Sequence, residues 1–124
     1  MTGIKVVDAS ALAALLFGEP EAEAVAASLE GARLTAPTLL GFELANVCLT
    51  KMRRHPAQRD SLRAAFRLAD RLAVETVAVD HGAALDLAEA TGLTAYDASY
   101  LWLARALGGE PVTLDRKLAA SMAR

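Results

Sequence analysis

The sequence predicts an α/β fold, in which a parallel sheet carries helices on both faces. Short β-branched segments alternate along the chain with longer segments whose apolar residues recur at helical spacing. Glycines close several of the helical segments, at Gly18, Gly31 and Gly92. Because strands that alternate with helices are joined by right-handed crossovers, we expect them to lie parallel in one sheet.

Length and composition favour one globular domain over residues 1–124. The chain has 124 residues, of which 54% are hydrophobic and 23% are charged, so it can bury a core and is too apolar for a disordered protein. Its formal net charge of −2 does not indicate a protein that coats nucleic acid by bulk charge. A nucleic-acid substrate would have to be held by a local basic patch or through bound metal.

The cysteine and hydropathy patterns indicate a cytoplasmic protein that does not enter a membrane. Cys48 is the only cysteine of the sequence, so no internal disulfide forms, and its apolar surroundings favour a buried thiol. No apolar run approaches the roughly 18–20 residues that a membrane span needs. The segment 1–10 lacks the long apolar core and the cleavage site of a signal peptide.

The predicted elements place several strand ends next to helix starts. Four segments are short, apolar and rich in β-branched residues, and are predicted as strands: Ile4–Val7, Arg33–Ala36, Val74–Val79 and Pro111–Leu114. The helices are predicted over Ser10–Phe17, Pro20–Gly31, Thr38–Arg54, Ala57–Ala73, Asp80–Gly92, Asp97–Gly108 and from Asp115 onward. In parallel sheets, ligands bind beyond the carboxyl ends of the strands.

Three aspartates lie where a predicted strand or connector gives way to a helix. Asp8 follows the first strand, Asp115 follows the last, and Asp97 opens a helix after a short connector. The parallel topology would gather these points at one edge of the sheet. Aspartate is also a favoured N-cap residue, so each of the three has a structural alternative as a cap. Asp80, which likewise follows a strand, is interpreted as a cap only.

Glu43 indicates a site, because it lies inside the predicted third helix and caps nothing. At 100° per residue, Glu43, Asn46 and Thr50 form a polar stripe that we expect in the middle of the apolar face of this helix. A carboxylate there is destabilising unless a cation or charged hydrogen bonds compensate it. No lysine or arginine lies on that face, which leaves a metal ion or an arginine from another element as its partner.

Clustered carboxylates favour a hard cation, Mg²⁺ or Mn²⁺, over Zn²⁺. Such a cation would offset the repulsion between the carboxylates and a phosphodiester, acidify a water molecule and stabilise charge on the phosphoryl oxygens. Ser10 and Thr113 are placed to hydrogen-bond the carboxylates or the waters of the cation. Each is equally compatible with an ordinary turn hydroxyl.

Four short motifs are spread over nearly the whole chain. They are Val-Val-Asp-Ala-Ser at 6–10, Glu-Leu-Ala-Asn at 43–46, Tyr-Asp-Ala-Ser-Tyr-Leu-Trp-Leu-Ala at 96–104 and Val-Thr-Leu-Asp-Arg-Lys-Leu at 112–118. One motif alone is weak. All four in this order and spacing strongly resemble the PIN-domain nucleases, and specifically the VapC-type toxins of bacterial toxin–antitoxin pairs.

The resemblance implies a role for each matching position. The acidic quartet of the family matches Asp8, Glu43, Asp97 and Asp115. Asp8 and Asp97 match direct ligands of Mg²⁺ or Mn²⁺, Asp115 matches a ligand that binds directly or through water, and Glu43 completes the site. The supporting polar positions of the family match Ser10, Asn46 and Thr113.

The resemblance also implies a parallel sheet of order 3-2-1-4-5, a homodimer, an RNA substrate and an inhibitory cognate antitoxin. Family members carry a further strand after the Asp-Arg-Lys-Leu helix, whereas the sequence here continues as Ala-Ala-Ser-Met-Ala-Arg. We therefore expect the fifth strand to be short or missing.

Two further features each have a structural and a functional interpretation. One is a row of arginines at every fourth position, either a phosphate-binding face or a solvated helix surface: Arg59, Arg63, Arg67 and Arg71. The other is a group of aromatic residues around Asp97, which either stack on RNA bases or pack in the core: Tyr96, Tyr100 and Trp102. For Tyr100, core packing is favoured.

The predicted function is that of a Mg²⁺- or Mn²⁺-dependent endoribonuclease, the toxin of a type II toxin–antitoxin system. One alternative is an RNA-processing nuclease of the same family without an antitoxin. The other is a non-catalytic module of this fold that binds RNA or protein, which the intact acidic quartet disfavours.

Overall fold

Four parallel strands and seven α-helices make up the part of the chain that the computed structural model describes, residues 3–122. The strands are β1 (Ile4–Val7), β2 (Arg33–Pro37), β3 (Glu75–Val77) and β4 (Glu110–Val112). The helices are α1 (Ala9–Leu16), α2 (Ala22–Leu29), α3 (Leu40–Arg54), α4 (Arg59–Arg67), α5 (His81–Thr91), α6 (Ala95–Leu107) and α7 (Arg116–Met122). Within residues 3–122, no helix has both the length and the apolar character needed to cross a membrane.

The strand order is β3-β2-β1-β4, and all neighbouring strands run parallel. Val6 of β1 lies opposite Thr35 of β2 on one side and Pro111 of β4 on the other. The predicted α/β class is therefore confirmed, and the order agrees with the first four positions of 3-2-1-4-5. Residues 3–122 contribute no fifth strand.

The core is built around β1, which explains the composition of that strand. Val6 and Val7 are fully buried among the leucines and alanines of α1 and α6. Burying side chains of this size stabilises the fold by about 1.5–3 kcal/mol each. The burial of β1 and of the start of α1 fixes the residue between them, Asp8, which is 6% exposed.

Two consecutive glycines bring β4 against β1. Gly108 ends α6 with a φ of +61°, in the left-handed region that favours glycine. A Cβ on Gly109 would lie 3.3 Å from side-chain carbons of Ile4 and Val6, so the absence of a side chain allows the close approach. The end of β4, with Thr113, is thereby placed beside the end of β1.

The helix predicted over Ala57–Ala73 is wrong as a continuous element. Only α4 is α-helical, flanked by 3-10 turns at Pro56–Gln58 and Leu68–Leu72, and the left-handed Ala73 (φ +53°) ends the segment. The tighter turn and the left-handed residue redirect the chain into β3 within a short distance. Arg71 therefore lies outside the helical row of arginines on α4.

The strand predicted over Val74–Val79 is shortened to the three residues of β3. Because β3 is an edge strand, it pairs on one side only, with Thr35–Pro37 of β2. The flanking valines, Val74 and Val79, pack against the core without joining the sheet.

The expected position of the polar stripe on α3 is also wrong. The buried face of this helix consists of Leu40, Leu44 and Cys48, which confirms the buried thiol. Asn46 and Thr50 are exposed, and Glu43 lies at the border between the two faces. When a helix has two partly apolar faces, the sequence pattern does not tell which face is buried. In this structure α1 and α4 pack against the face of α3 that carries Leu40, Leu44 and Cys48.

Candidate active site

Asp8 is held at the carboxyl end of β1 by three hydrogen bonds. Its Oδ1 accepts from the Ser10 hydroxyl at 2.7 Å and from the Ala11 N–H at 3.0 Å, which makes Asp8 the N-cap of α1. Its Oδ2 accepts from the Thr113 hydroxyl at 2.5 Å. A cap needs only one of these bonds. The other two fix the orientation of a buried carboxylate.

The hydroxyls of Ser10 and Thr113 connect the ends of β1 and β4. Besides donating to Asp8, the Ser10 Oγ accepts from the Leu114 N–H at 2.9 Å. The Thr113 Oγ1 accepts in the same way from the Asp115 N–H at 3.0 Å. Both residues are therefore more than turn hydroxyls, because each one joins a backbone segment of the β4 end to the Asp8 carboxylate.

The capping alternative applies to Asp115 and not to Asp97. Asp115 Oδ1 accepts from the Leu118 N–H at 2.9 Å and caps α7. The expectation that Asp97 opens its helix is wrong, because Thr94 is the N-cap of α6 and accepts from the Asp97 N–H at 3.1 Å. Asp97 lies in the first turn of α6, with its carboxylate free of capping. Asp80 caps α5 through the Ala83 N–H at 2.8 Å, as predicted.

Glu43 has a partner that the sequence did not reveal. Its Oε1 accepts a hydrogen bond of 2.6 Å from the hydroxyl of Tyr100, a residue that is 1% exposed. This partner is a neutral hydroxyl and not the arginine considered for Glu43, and Tyr100 combines core packing with this contact. Two signals were available: a buried tyrosine hydroxyl usually has a partner, and Tyr100 shares a face of α6 with Asp97, three residues earlier.

The electrostatics show that the acidic residues share one region. Burial raises the pKa of Glu43, and the charges of Asp97 and Asp8 raise it further, whereas the bond from Tyr100 lowers it. Burial likewise raises the pKa of Asp97, with repulsion from Asp115 and Asp8 acting in the same direction and Lys117 acting against it. Asp97 is thus within electrostatic reach of Asp115, Asp8 and Glu43, and Glu43 is also within reach of Asp8.

Asn46 does not join the hydrogen-bond network that the structure describes. Its exposed side chain instead lines a cavity of about 500 Å³ together with Glu43, and the aromatic rings of Phe42 and Tyr96 also border it. The amide is therefore next to the acidic region and faces a space large enough for part of a ligand.

The oxygen-only donor set fits a hard cation such as Mg²⁺ or Mn²⁺. As placed in residues 3–122, no three histidine, cysteine, aspartate or glutamate side chains already form a metal-binding group. Several carboxylate oxygens nevertheless make no hydrogen bond within this range: Oε2 of Glu43, Oδ2 of Asp115 and both oxygens of Asp97. A cation among them would offset the repulsion that raises the pKa values of Glu43 and Asp97.

The fold is a parallel α/β sheet in which Asp8 and Asp115 lie beyond the ends of β1 and β4. The chain belongs to the PIN-domain family, whose model matches residues 5–121. It is 36% identical to Ribonuclease VapC3 of Pyrobaculum aerophilum over 119 residues, which cover 92% of this chain and 91% of that protein. The crystal structure of PAE2754 from Pyrobaculum aerophilum is similar with a TM-score of 0.74 at 29% identity, over 98% of this chain and 87% of that one. The resemblance to VapC-type PIN nucleases is thereby confirmed.

Proposed function

We propose that this protein is a metal-dependent endoribonuclease and the toxin of a type II toxin–antitoxin system, with its active domain spanning residues 1–124. The observation that supports the proposal is the repulsion between acidic residues from four separate segments: Asp97 interacts with Asp115, Asp8 and Glu43, and Glu43 also interacts with Asp8. Membership of the PIN family and the similarity to a ribonuclease of the VapC type support it. No contact within the described residues favours either alternative, an RNA-processing nuclease or a non-catalytic module.

The four carboxylates would hold Mg²⁺ or Mn²⁺, with Asp8 and Asp97 as direct ligands and Asp115 binding directly or through water. When bound, the cation supplies an acidified water molecule and neutralises charge on the phosphodiester. Ser10 and Thr113 orient the Asp8 carboxylate through their hydroxyls. Lys117 contributes positive charge next to Asp97.

The arginines of α4 are a local source of positive charge in an acidic chain. Arg59, Arg63 and Arg67 are exposed on one helix, and Arg59 contacts Asp60 at 3.2 Å. An exposed ion pair of this kind contributes little to stability, so Arg59 can exchange Asp60 for another anion. The three arginines could therefore contact RNA phosphates, and their positive charge would compensate locally for the net charge of −2.

The decisive experiment combines cleavage in vitro with growth in cells. The purified chain is incubated with cellular RNA and synthetic single-stranded RNA in Mg²⁺, in Mn²⁺ and in EDTA, and its induced expression is tested for growth arrest. We expect cleavage with either cation, none in EDTA, and growth arrest accompanied by RNA cleavage. RNA binding without cleavage under every condition would contradict the nuclease and favour the binding module. Cleavage without growth arrest would favour the RNA-processing nuclease.

An apolar groove on the first half of the chain supports a cognate antitoxin as partner. The groove has a volume of about 570 Å³ and is lined mainly by Leu15, Ala26, Ala27, Leu29, Leu34 and Leu72. Such a groove suits the apolar face of a partner helix. The protein, its RNA substrate and this partner would then meet in the cytoplasm, which also suits the free thiol of Cys48.

A substitution in this groove is expected to abolish inhibition by the antitoxin while RNA cleavage is retained. Ala27→Glu places a charge in the groove, so co-expression with a cognate antitoxin that relieves the growth arrest caused by the wild type should no longer do so. Ala24→Glu, on the exposed side of α2 and outside the groove lining, is the control and should remain inhibited. Equal inhibition of both variants would show that the antitoxin binds elsewhere.

A second apolar surface supports the homodimer. Phe42 and Tyr96 are 85% and 66% exposed, and they border two neighbouring cavities that share Leu39 and Tyr96. Leu85, which is 64% exposed, follows Ala84, a lining residue of one of these cavities. Exposed apolar area of this kind marks protein contacts.

Light scattering on the purified protein is expected to give twice the mass of the 13.0 kDa chain. Leu85→Lys should give the monomer mass, because the new charge would be buried in the interface. A monomeric wild-type protein at micromolar concentration would contradict the homodimer.

A further inference from the structure

The hydrogen bond between Tyr100 and Glu43 joins two elements that each carry one of the acidic residues. The phenol donates to Glu43 Oε1 at 2.6 Å across 57 residues of sequence. Glu43 lies in the first turn of α3, whereas Tyr100 lies one turn after Asp97 on α6. The bond therefore sets the position of the Glu43 carboxylate relative to the helix that presents Asp97.

Little else in the described structure holds Glu43 in this position. Helix α3 packs mainly against α1 and α4, and α6 packs mainly against α5, β1 and β2, so the two helices have little backbone contact of their own. The Glu43 side chain has three rotatable bonds, and the charges of Asp97 and Asp8 repel it. Without a donor, it is free to turn toward solvent and away from the other carboxylates.

Tyr100 suits this task because it is rigid and uncharged. Its ring is fully buried in the core, which fixes the hydroxyl at the end of an immobile side chain. An arginine or lysine in its place would neutralise Glu43 and compete with a bound cation. A phenol directs the carboxylate without removing its charge, and it engages Oε1 while Oε2 makes no hydrogen bond within residues 3–122.

We propose that Tyr100 is a positioning residue, which holds the Glu43 carboxylate toward Asp97 so that Oε2 is available to a divalent cation. This role rests on the proposed function, because it concerns the same site. Loss of a hydrogen-bond partner behind a metal-binding residue typically lowers metal affinity or activity by about 10- to 100-fold.

The test is a double-mutant cycle on the full chain, with Mn²⁺ as the probe. Tyr100→Phe, Glu43→Gln and the double variant are titrated with Mn²⁺ by calorimetry or electron paramagnetic resonance, and their RNA cleavage is measured in parallel. We expect Tyr100→Phe to weaken Mn²⁺ binding about 10-fold, and to add less than about twofold in the Glu43→Gln background, because the two residues act as a unit. Ser99→Ala removes a neighbouring buried hydroxyl whose one hydrogen bond among residues 3–122 goes to the Tyr96 carbonyl oxygen at 2.5 Å. This variant should bind Mn²⁺ like the wild type.

Two results would overturn the positioning role. One is wild-type Mn²⁺ binding by a folded Tyr100→Phe protein; the other is a full, multiplicative effect of Tyr100→Phe in the Glu43→Gln background. If Tyr100→Phe fails to fold, Glu43→Gln is compared with Glu43→Ala, since only glutamine keeps an acceptor for the phenol. Weaker Mn²⁺ binding by the glutamine variant is then expected, because Tyr100 would hold the amide oxygen and leave the amide N–H groups toward the cation. Equal or tighter binding by the glutamine variant contradicts the proposal. Because the Mn²⁺ titration needs no RNA, its outcome is separate from that of the nuclease assay.

Discussion

Replacing Asp8 with asparagine is expected to lower RNA cleavage by about a thousandfold while the fold is retained. Asparagine is as good an N-cap as aspartate, so the bond from the Ala11 N–H to residue 8 can persist. The negative charge for the cation is lost, and a metal ion contributes several kcal/mol to such a reaction, where about 1.36 kcal/mol corresponds to a factor of ten. Cleavage rates at saturating Mg²⁺ and thermal unfolding measure the two effects.

Asp80→Asn is the matched control for Asp8. Asp80 also caps a helix after a strand, through a bond of 2.8 Å from the Ala83 N–H, but it has no contact with Ser10, Thr113 or the other acidic residues. We expect full cleavage by this variant and unfolding at the wild-type temperature. Similar losses of cleavage in both variants would show that capping, and not metal chemistry, accounts for the effect of Asp8.

Replacing Asp97 with asparagine is expected to remove cleavage to a similar extent and to stabilise the metal-free protein. Burial and repulsion from Asp115 and Asp8 raise the pKa of Asp97 in the folded state. These two unfavourable effects on the ionised carboxylate outweigh its favourable interaction with the N-terminal end of the α6 dipole. Folding therefore disfavours the ionised form at neutral pH. Removing the charge should raise the Tm in EDTA at pH 7 by about 3 °C.

The pH dependence of this stabilisation has a definite sign. When an acidic group has a higher pKa in the folded than in the unfolded state, the protein loses stability as the pH rises from the unfolded-state pKa to the folded-state pKa. The advantage of Asp97→Asn should therefore vanish as the pH falls below the ordinary aspartate pKa of about 3.9. Added Mg²⁺ should reverse the order at pH 7, because binding to the native state stabilises only the chain that retains the site.

Asp86→Asn provides the comparison for the Asp97 experiment, since Asp86 is exposed on α5. Its Tm should stay unchanged in EDTA and should rise with Mg²⁺ as in the wild type. If Asp97→Asn lowers the Tm in EDTA, the carboxylate is stabilised by its surroundings, and the acidic region has no excess of negative charge for a cation to offset.

The sequence was enough to predict the parts of the fold and of the site that depend on where the strands end. The contact between Asp8 and Thr113 could be anticipated, because both residues follow parallel strands whose carboxyl ends meet at one edge. Binary pattern and glycine positions likewise located most helices to within one or two residues, as for α1 and α3.

The errors arose where the outcome depends on competition between similar signals or on tertiary contact. Thr94 and Asp97 are both good capping residues, and sequence alone does not tell which one starts α6. The polar stripe of α3 was placed on the wrong face, because packing against α1 and α4 selects the buried row. The bond between Tyr100 and Glu43 spans 57 residues and belongs to no periodic pattern, so only the structure reveals it.

The position of β4 in the sheet has a consequence for synthesis in the cell. This strand completes the pairing of β1 on one side, and the Thr113 bond to Asp8 and the Asp115 carboxylate both depend on the segment that follows it. A chain still being translated, before that segment leaves the ribosome, has at most three of the four carboxylates and an incompletely held Asp8. A cell making the proposed toxin would therefore face a working nuclease only after this segment has left the ribosome, and an inhibitor would have to act only on chains that have reached this stage.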